Sequence, residues 1–179
     1  FGTLNVAEAA ISCGVKRAVF LSTDKSASAE TLYGGTKFVA ERYWIDCNSY
    51  SPSTDFMATR YGNVAGSRGS VIPFFYSLLM DGLKPKVTDL NSTRFWMTLT
   101  EAVELVVAAV LWGERGDLFI PRLPAFYMKD LVQAMIGKFT LDDIEIIGLR
   151  ESEKLNESLM MPDELRKSLL IESHHTNYL

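Results

Sequence analysis

The chain has 179 residues, 47% of them apolar and 22% charged, the size and balance of one soluble globular domain able to bury a sizeable core. Its formal net charge of −4 offers no broad basic surface for nucleic acid or an anionic membrane. No apolar run approaches the roughly 20 residues of a membrane span, and the sequence shows no basic, apolar, small-residue signal pattern.

Gly2 to Gly14 is predicted as a helix: Leu4, Val6, Ala7, Ala10 and Ile11 make an apolar stripe, and Gly14 suits the position just past its end. The chain enters this helix from Phe1 rather than from a Met, as a fragment does. Val15 to Ser22 follows as a buried strand, and Thr23, Asp24 and Lys25 emerge at its carboxyl end. Open parallel sheets place their ligands there. From Leu32 to Ser49 runs a second helix, with Tyr33, Lys37, Ala40, Glu41 and Trp44 at three- and four-residue steps, ended by Ser51-Pro52-Ser53.

Tyr33 and Lys37 lie four apart and so share a helix face. An ammonium there stabilises a phenolate, which lets Tyr33 exchange a proton with a substrate hydroxyl, as hydride transfer from a secondary alcohol requires. Tyr-x-x-x-Lys alone also describes an ordinary solvated helix face. The Ser22-Thr23-Asp24-Lys25 run at the preceding strand end is what gives it weight.

Phe56 to Tyr61 is the next strand, running into Gly62, Gly66 and Gly69 interleaved with Asn63, Ser67, Arg68 and Ser70, before an apolar helix from Val71 to Met80. Close backbone approach at the glycines and the free amides of a helix start can cradle a diphosphate; a loop that merely turns the chain fits the same spacing. Lys84 to Leu90 and Arg94 to Met97 are extended pieces of a smaller lobe. Thr98 or Thr100 caps a helix from Glu101 to Trp112, whose Val103, Val106, Val107, Val110 and Leu111 are expected in the core. Asp117 to Ile120 is a strand closed by Pro121, Met128 to Ile136 a helix with Asp130 as its first-turn acid, and Glu145 to Ile147 a strand leading to Arg150. After Pro162 the periodicity fades, and Asp163 to Leu179 is expected to be a loosely held tail.

Cys13 and Cys47 lack metal-ligand spacing and are expected as reduced packing residues of a cytoplasmic protein; His174 and His175 have no partner cluster. The alternation of helix and strand makes the fold class α/β with a parallel sheet. A Gly-x-Gly-x-x-Gly dinucleotide fingerprint with its following ribose acid does not occur in the sequence.

Taken together, Leu21 to Lys25, Tyr33-Gly34-Gly35-Thr36-Lys37, Arg60 to Phe75, Thr93 to Thr98, and Gly148-Leu149-Arg150 with Glu153-Lys154-Leu155 resemble, in order and over nearly the whole chain, an extended short-chain dehydrogenase/reductase. Within it the chain is similar to the inverting UDP-N-acetylglucosamine 4,6-dehydratases of the pseudaminic acid pathway, with their amino-terminal part missing. The fold this implies is the carboxyl-terminal part of a Rossmann-like, NAD(P)-binding, doubly wound parallel sheet plus a small α+β substrate-binding lobe. Residues 1–70 would be the second Rossmann half with the catalytic residues, 71–162 mainly the substrate lobe interleaved with the sheet, and 163–179 a tail.

The resemblance further implies a UDP-N-acetylhexosamine substrate, NADP (or NAD) as cofactor, and a homo-oligomer when complete. Tyr33 takes the C4 hydroxyl proton, Lys25, as a desolvated amine near Lys37, removes the C5 hydrogen, Asp24 protonates the departing C6 hydroxyl, and Thr23 lies beside the C4 oxygen. Lys37 binds the nicotinamide ribose and Val64 the nicotinamide. Asn63, Arg68 and the run Val71, Ile72, Pro73, Phe74 and Phe75 contact the sugar nucleotide, and Arg94 and Arg150 its diphosphate. For each Arg alone, a surface charge or structural ion pair is the plain alternative.

Two departures stand out. The family's Arg-Pro-Gly-Glu-Lys-Leu-His-Glu pattern is Arg150-Glu151-Ser152-Glu153-Lys154-Leu155-Asn156-Glu157 here, and Gly35 replaces a more usual Ala or Ser, which is expected to loosen that helix start. A retaining dehydratase, a UDP-sugar 4-epimerase and a non-catalytic UDP-sugar-binding fragment remain the competing readings. The larger retaining type carries Met at the Tyr33 position, and epimerases usually lack the Asp-Lys pair.

Overall fold

The computed structural model describes residues 1–150, 153–172 and 177–178. In chain order the elements are α1 (Gly2–Ser12), β1 (Arg17–Leu21), α2 (Leu32–Asp46), β2 (Asp55–Thr59), α3 (Val71–Met80), β3 (Lys86–Val87) and β4 (Thr93–Phe95). Then come α4 (Leu99–Trp112), β5 (Leu118–Phe119), β6 (Ala125–Tyr127), α5 (Met128–Ile136), β7 (Glu145–Ile146), α6 (Pro162–Leu165), β8 (Ile171–Glu172) and β9 (Asn177–Tyr178). Glu151, Ser152, His174 and His175, singled out above, lie outside the described residues.

The chain forms two compact units, each discontinuous in sequence: Phe1–Tyr61, Thr100–Arg122 and Ser158–Leu179 in the first, Gly62–Leu99 and Leu123–Glu157 in the second. The boundary therefore falls at Tyr61 rather than at 70, and the chain returns to the first unit with α4 and β5 and again with α6.

The first unit is built on a three-stranded parallel sheet of order β1-β2-β5. Register pairs Arg17 with Asp55 through Leu21 with Thr59, so β1 and β2 end side by side and release their chains at the same edge. Alternation along β1 separates two cores. Ala18 and Phe20 pack with Ala7, Ala10, Trp44, Cys47 and Phe56 under α1 and α2, whereas Val19 packs with Leu105, Ala108, Ala109 and Phe119 under α4. Helices thus cover both faces, which is why the strands read as apolar runs. The end of α1 is closed by the Val15 amide on the Ala10 carbonyl (2.9 Å) and the Gly14 amide on that of Ile11 (3.1 Å).

Three expectations are corrected. The α4 face expected to be core is the outer one: Ala102, Leu105, Ala108 and Ala109 are buried, while Val103, Val107, Val110 and Leu111 are exposed. The helix is apolar almost all round, and its small residues are what let it approach the sheet closely. Cys47 is buried in the core, but Cys13, at the end of α1, is exposed. The segment from Asp163 is not loose at its start, because Glu164 on α6 is tied to the buried Arg60 at 2.7 Å.

The second unit packs α3 and α5 around Phe75, Val87, Met128, Leu131, Val132 and Ile144. β3 runs parallel to β7 and β4 antiparallel to β6, and a bridge between Val64 and Met97 ties the post-β2 loop to the end of β4. Gly62 passes so near Phe95 that a Cβ there would lie 2.6 Å from the Phe95 Cβ.

Candidate active site

The ladder between β1 and β2 continues past both strands: the Ser22 amide donates to the Thr59 carbonyl (2.7 Å) and the Asp24 amide to that of Tyr61 (3.0 Å). These bonds carry Thr23, Asp24 and Lys25 out of the sheet in a single 3₁₀ turn, Asp24–Ser26. Thr23 caps it by accepting from the Lys25 amide (3.4 Å), and its hydroxyl donates to Asp24 Oδ1 (2.8 Å). Lys25 Nζ approaches the same oxygen at 3.0 Å.

Asp24 is 1% exposed, and its other oxygen, Oδ2, is buried without a hydrogen-bond partner. A buried carboxyl oxygen left unmatched in this way is costly, and it is where a proton or a ligand hydroxyl fits. The Lys25 side chain is 38% exposed, so the base expected from the sequence as a desolvated amine is instead a half-open one paired with its neighbouring acid.

Thr31 caps α2 by accepting from the Gly34 amide at 2.8 Å. In this first turn Tyr33 is 54% exposed, and the Lys37 ammonium lies 5.9 Å from its ring centroid. The turn is pressed against the acid-amine loop: a Cβ on Gly34 would meet the Lys25 carbonyl oxygen at 2.5 Å. Thr23, Asp24, Lys25, Tyr33 and Lys37 therefore belong to two abutting segments of the first unit. One proton can pass between Asp24 and Lys25, and the exposed phenol lies next to its ammonium.

The second unit holds a cleft of about 460 Å³. Of the residues expected from sequence to touch nucleotide, sugar or cofactor, Asn63, Val64, Val71, Ile72, Phe74, Phe75, Arg94 and Arg150 line it. Arg68 is exposed in the loop before α3, and neither it nor Pro73 lines the cleft. Lys86, Trp96, Phe126 and Glu153 also line it and were not foreseen. Trp96 and Phe126 meet edge to face with centroids 5.5 Å apart, an arrangement that depends on β6, a three-residue strand too short to give a pattern.

Arg94 is held by Glu153 (2.9 Å) and donates to the carbonyls of Thr93 (2.7 Å) and Leu155 (3.2 Å). A structural ion pair is thus present in the cleft wall. Ser70, the residue before α3, makes no capping bond, and its buried Oγ has no hydrogen-bond partner. An unused hydroxyl at a helix start, in a cleft that Arg94 and Arg150 also line, suits an anionic ligand.

Helices on both faces of a parallel sheet, with a hydroxyl, an acid and an amine leaving one strand for a Tyr-x-x-x-Lys helix, define the extended short-chain dehydrogenase/reductase class. More narrowly, residues 1–178 match the family described as polysaccharide biosynthesis protein, and the chain belongs to that family. It is 37% identical over 177 residues to the UDP-N-acetylglucosamine 4,6-dehydratase (inverting) of Campylobacter jejuni subsp. jejuni serotype O:2, covering 97% of this chain and 52% of that protein. It is 38% identical over 170 residues to the UDP-glucose 4-epimerase of Rickettsia rickettsii, covering 93% and 50%.

Among solved structures, Pen from Bacillus thuringiensis matches at TM-score 0.89 and 39% identity over 99% of this chain and 57% of that one. The dTDP-glucose 4,6-dehydratase DesIV of Streptomyces venezuelae, at TM-score 0.76 and 19% identity over 93% and 58%, shares the fold. The chain spans about half the length of the curated relatives it matches. Among the described residues no helix is long and apolar enough to cross a membrane.

Proposed function

We propose that the chain carries the chemistry of a C5-inverting UDP-N-acetylglucosamine 4,6-dehydratase, a cytoplasmic hydro-lyase that works with NADP or NAD in surface-glycan synthesis. The observation that carries this reading is the Asp24–Lys25 pair at 3.0 Å beside the turn that bears Tyr33. An acid and a base placed together are what removal of water across C5–C6 requires.

Tyr33 Oη accepts the proton of the C4 hydroxyl, with Lys37 stabilising the phenol oxygen. Tyr33, Lys37 and Val64 would hold a nicotinamide dinucleotide, and the chemistry that group would supply is acceptance of the C4 hydride and its return to C6. Lys25 Nζ then removes the C5 proton, now acidic because C4 is a ketone, while a proton on Asp24 Oδ2 goes to the C6 hydroxyl, which leaves as water. In this step the pair passes from a neutral amine beside a neutral acid to an ammonium beside a carboxylate. A proton from water reaches C5 on the opposite face as hydride returns to C6, which inverts that carbon; the proton held on Tyr33 replaces the one taken from water, and the Lys25 ammonium returns its own to Asp24.

We assign Tyr33 and Lys37 to the nicotinamide ribose and Val64 to the nicotinamide, all three by motif. In the second unit we assign Asn63, Val71, Ile72, Phe74 and Phe75 to the sugar nucleotide and Arg94 and Arg150 to its diphosphate. The relationship to a Rickettsia UDP-glucose 4-epimerase supports a second reading, 4-epimerisation, which needs Tyr33 and Lys37 but neither acid nor base at C5 and C6.

The test uses the complete gene product with UDP-N-acetylglucosamine in heavy water. Loss of one water by mass and deuterium at C5 of the product are expected. A C4 epimer of unchanged mass with no deuterium at C5 would instead establish the second reading. The 179 residues alone are expected to be inactive, because the dinucleotide fingerprint is not among them, and measurable turnover by them would contradict that.

A further inference from the structure

Behind the Thr23–Lys25 turn lies a group of buried charges that the proposed chemistry does not use. Glu41, on α2, is 1% exposed, and Arg60, just past β2, is 0% exposed. Glu41 Oε2 accepts from Ser22 Oγ (2.5 Å), Ser26 Oγ (2.9 Å) and Arg60 Nε (3.1 Å), while Oε1 pairs with Arg60 Nη2. Ser26 Oγ also lies 2.6 Å from the Thr23 carbonyl, so its single proton is shared between the turn and Glu41.

Every donor of Arg60 has an acceptor. Besides Glu41, Nη1 reaches the Leu159 carbonyl (3.0 Å) and Glu164 Oε2 (2.7 Å), and Nη2 reaches Glu164 Oε1 (3.1 Å). Five N–H groups meeting five oxygens leave the guanidinium no freedom to turn. Tyr33, Lys37 and Glu41 follow one another at intervals of four positions, so all three lie along one face of α2.

We infer that Glu41 and Arg60 form a buried clamp that fixes the Ser22–Ser26 turn to the helix bearing Tyr33 and Lys37, which makes both of them positioning residues. The inference rests on assigning the chemistry to that turn and helix. A buried ion pair is poor stabiliser for its volume, since apolar residues fill such space as well. What it adds is directional: a carboxylate whose lone pairs are assigned to two serines of the turn admits one placement of the turn, whereas apolar packing allows it to slide. The carboxyl-terminal segment takes part through Leu159 and Glu164, so the turn is braced from a point about 100 residues away along the chain.

The test compares Ser26→Ala, which leaves the charges paired, with Glu41→Gln, which keeps the shape and removes the charge. Leu105→Ala, under α4, is the comparator for lost stability alone. In the complete gene product well below its unfolding temperature, both clamp variants are expected to lose about ten- to hundredfold in kcat with KM within about twofold. The Ser26 and Ala27 amides, bonded to the Thr23 and Asp24 carbonyls at 3.0 and 3.1 Å, are expected to exchange with solvent at least about tenfold faster in both.

Leu105→Ala should unfold earlier and change neither readout. If Glu41→Gln does not fold, Ser26→Ala decides. Unchanged exchange and kcat in a folded clamp variant overturn the inference. If the unsubstituted protein releases no water from the sugar, the proposed function fails, and exchange alone then decides the clamp.

Discussion

The alpha carbon of Gly34 faces the carbonyl oxygen of Lys25 so closely that any side chain there would begin 2.5 Å from that oxygen. The first turn of α2, to which Tyr33 belongs, and the acid-amine turn thereby approach at a distance only glycine permits. Gly35, one residue on, has nothing within 4 Å of its would-be Cβ. Gly34→Ala should therefore destabilise the fold by about 1–3 kcal/mol and disturb the turn. Gly35→Ala should be neutral or stabilising by up to about 1 kcal/mol, since alanine is the better helix former. Denaturant unfolding of the two variants checks this, and equal effects would contradict the steric account.

Exposure along α4 yields a contrast of the same kind. Leu105 is fully buried beneath the helix, whereas Val103, Val107 and Leu111 face outward. Leu105→Ala should lose about 2–5 kcal/mol. The triple change Val103→Gln, Val107→Gln and Leu111→Gln should shift stability by less than about 1 kcal/mol while lowering self-association of the 179-residue chain, as removal of an apolar surface stripe does. Sedimentation velocity alongside thermal unfolding gives both numbers.

How much of this was legible beforehand follows from what each residue contributes to a local pattern. α3 and α5 run from Val71 to Met80 and from Met128 to Ile136 as the apolar spacing predicts, and the Thr23–Lys25 and Tyr33–Lys37 segments announce themselves by residue type. The buried face of α4 does not, because a helix that is apolar all round has no period to reveal which side meets the sheet. No local pattern marks Arg60 and Glu41 as partners; the packing of α2 on β2, as of Trp44 on Phe56, brings them together. The Arg94–Glu153 bond likewise joins residues 59 apart, and the resemblance that included both did not pair them.

Glu164 makes stability depend on acid. Burial pushes its carboxyl up, but the hydrogen bonds from Arg60 and the Met161 amide and the charges of Arg60 and Arg42 outweigh that, and the group stays ionised below the ordinary glutamate value. A folded value that is depressed contributes stability that is fully present above the unfolded value of about 4.3 and is lost as pH falls through the lower folded one. Glu164→Gln should thus be about 1–2 kcal/mol less stable at neutral pH and show a flatter decline in acid than the parent. Unfolding free energies measured from pH 7 down to about 3 test the sign. A variant curve parallel to the parent's would remove Glu164 from the account.

For the cleft, the expectation concerns binding rather than turnover. Arg94 lines it and Arg68 does not. Arg94→Ala should weaken UDP binding about ten- to hundredfold, the worth of one or two bonds to a charged group, whereas Arg68→Ala should change it less than about twofold. Calorimetric titration of the complete gene product with UDP distinguishes them, and the reverse ranking would move the diphosphate to the loop before α3.

The division of labour between Lys25 and Asp24 can be separated because each is asked to handle a different proton. With Lys25→Met the ketone can still form at C4, but nothing removes the C5 hydrogen, so sugar recovered from heavy water should carry no deuterium at C5 and no water should be lost. With Asp24→Asn the amine remains and the C5 proton still exchanges, while the C6 hydroxyl lacks its donor. Deuterium should then appear at C5 of the recovered sugar even as water loss slows by about 10²–10⁴-fold, the range for removing one general acid. The two variants are read in one experiment by mass and proton spectra of the sugar. Normal C5 exchange in Lys25→Met would assign the base elsewhere, and loss of exchange in Asp24→Asn would mean that the pair 3.0 Å apart acts as a single unit rather than as separate acid and base.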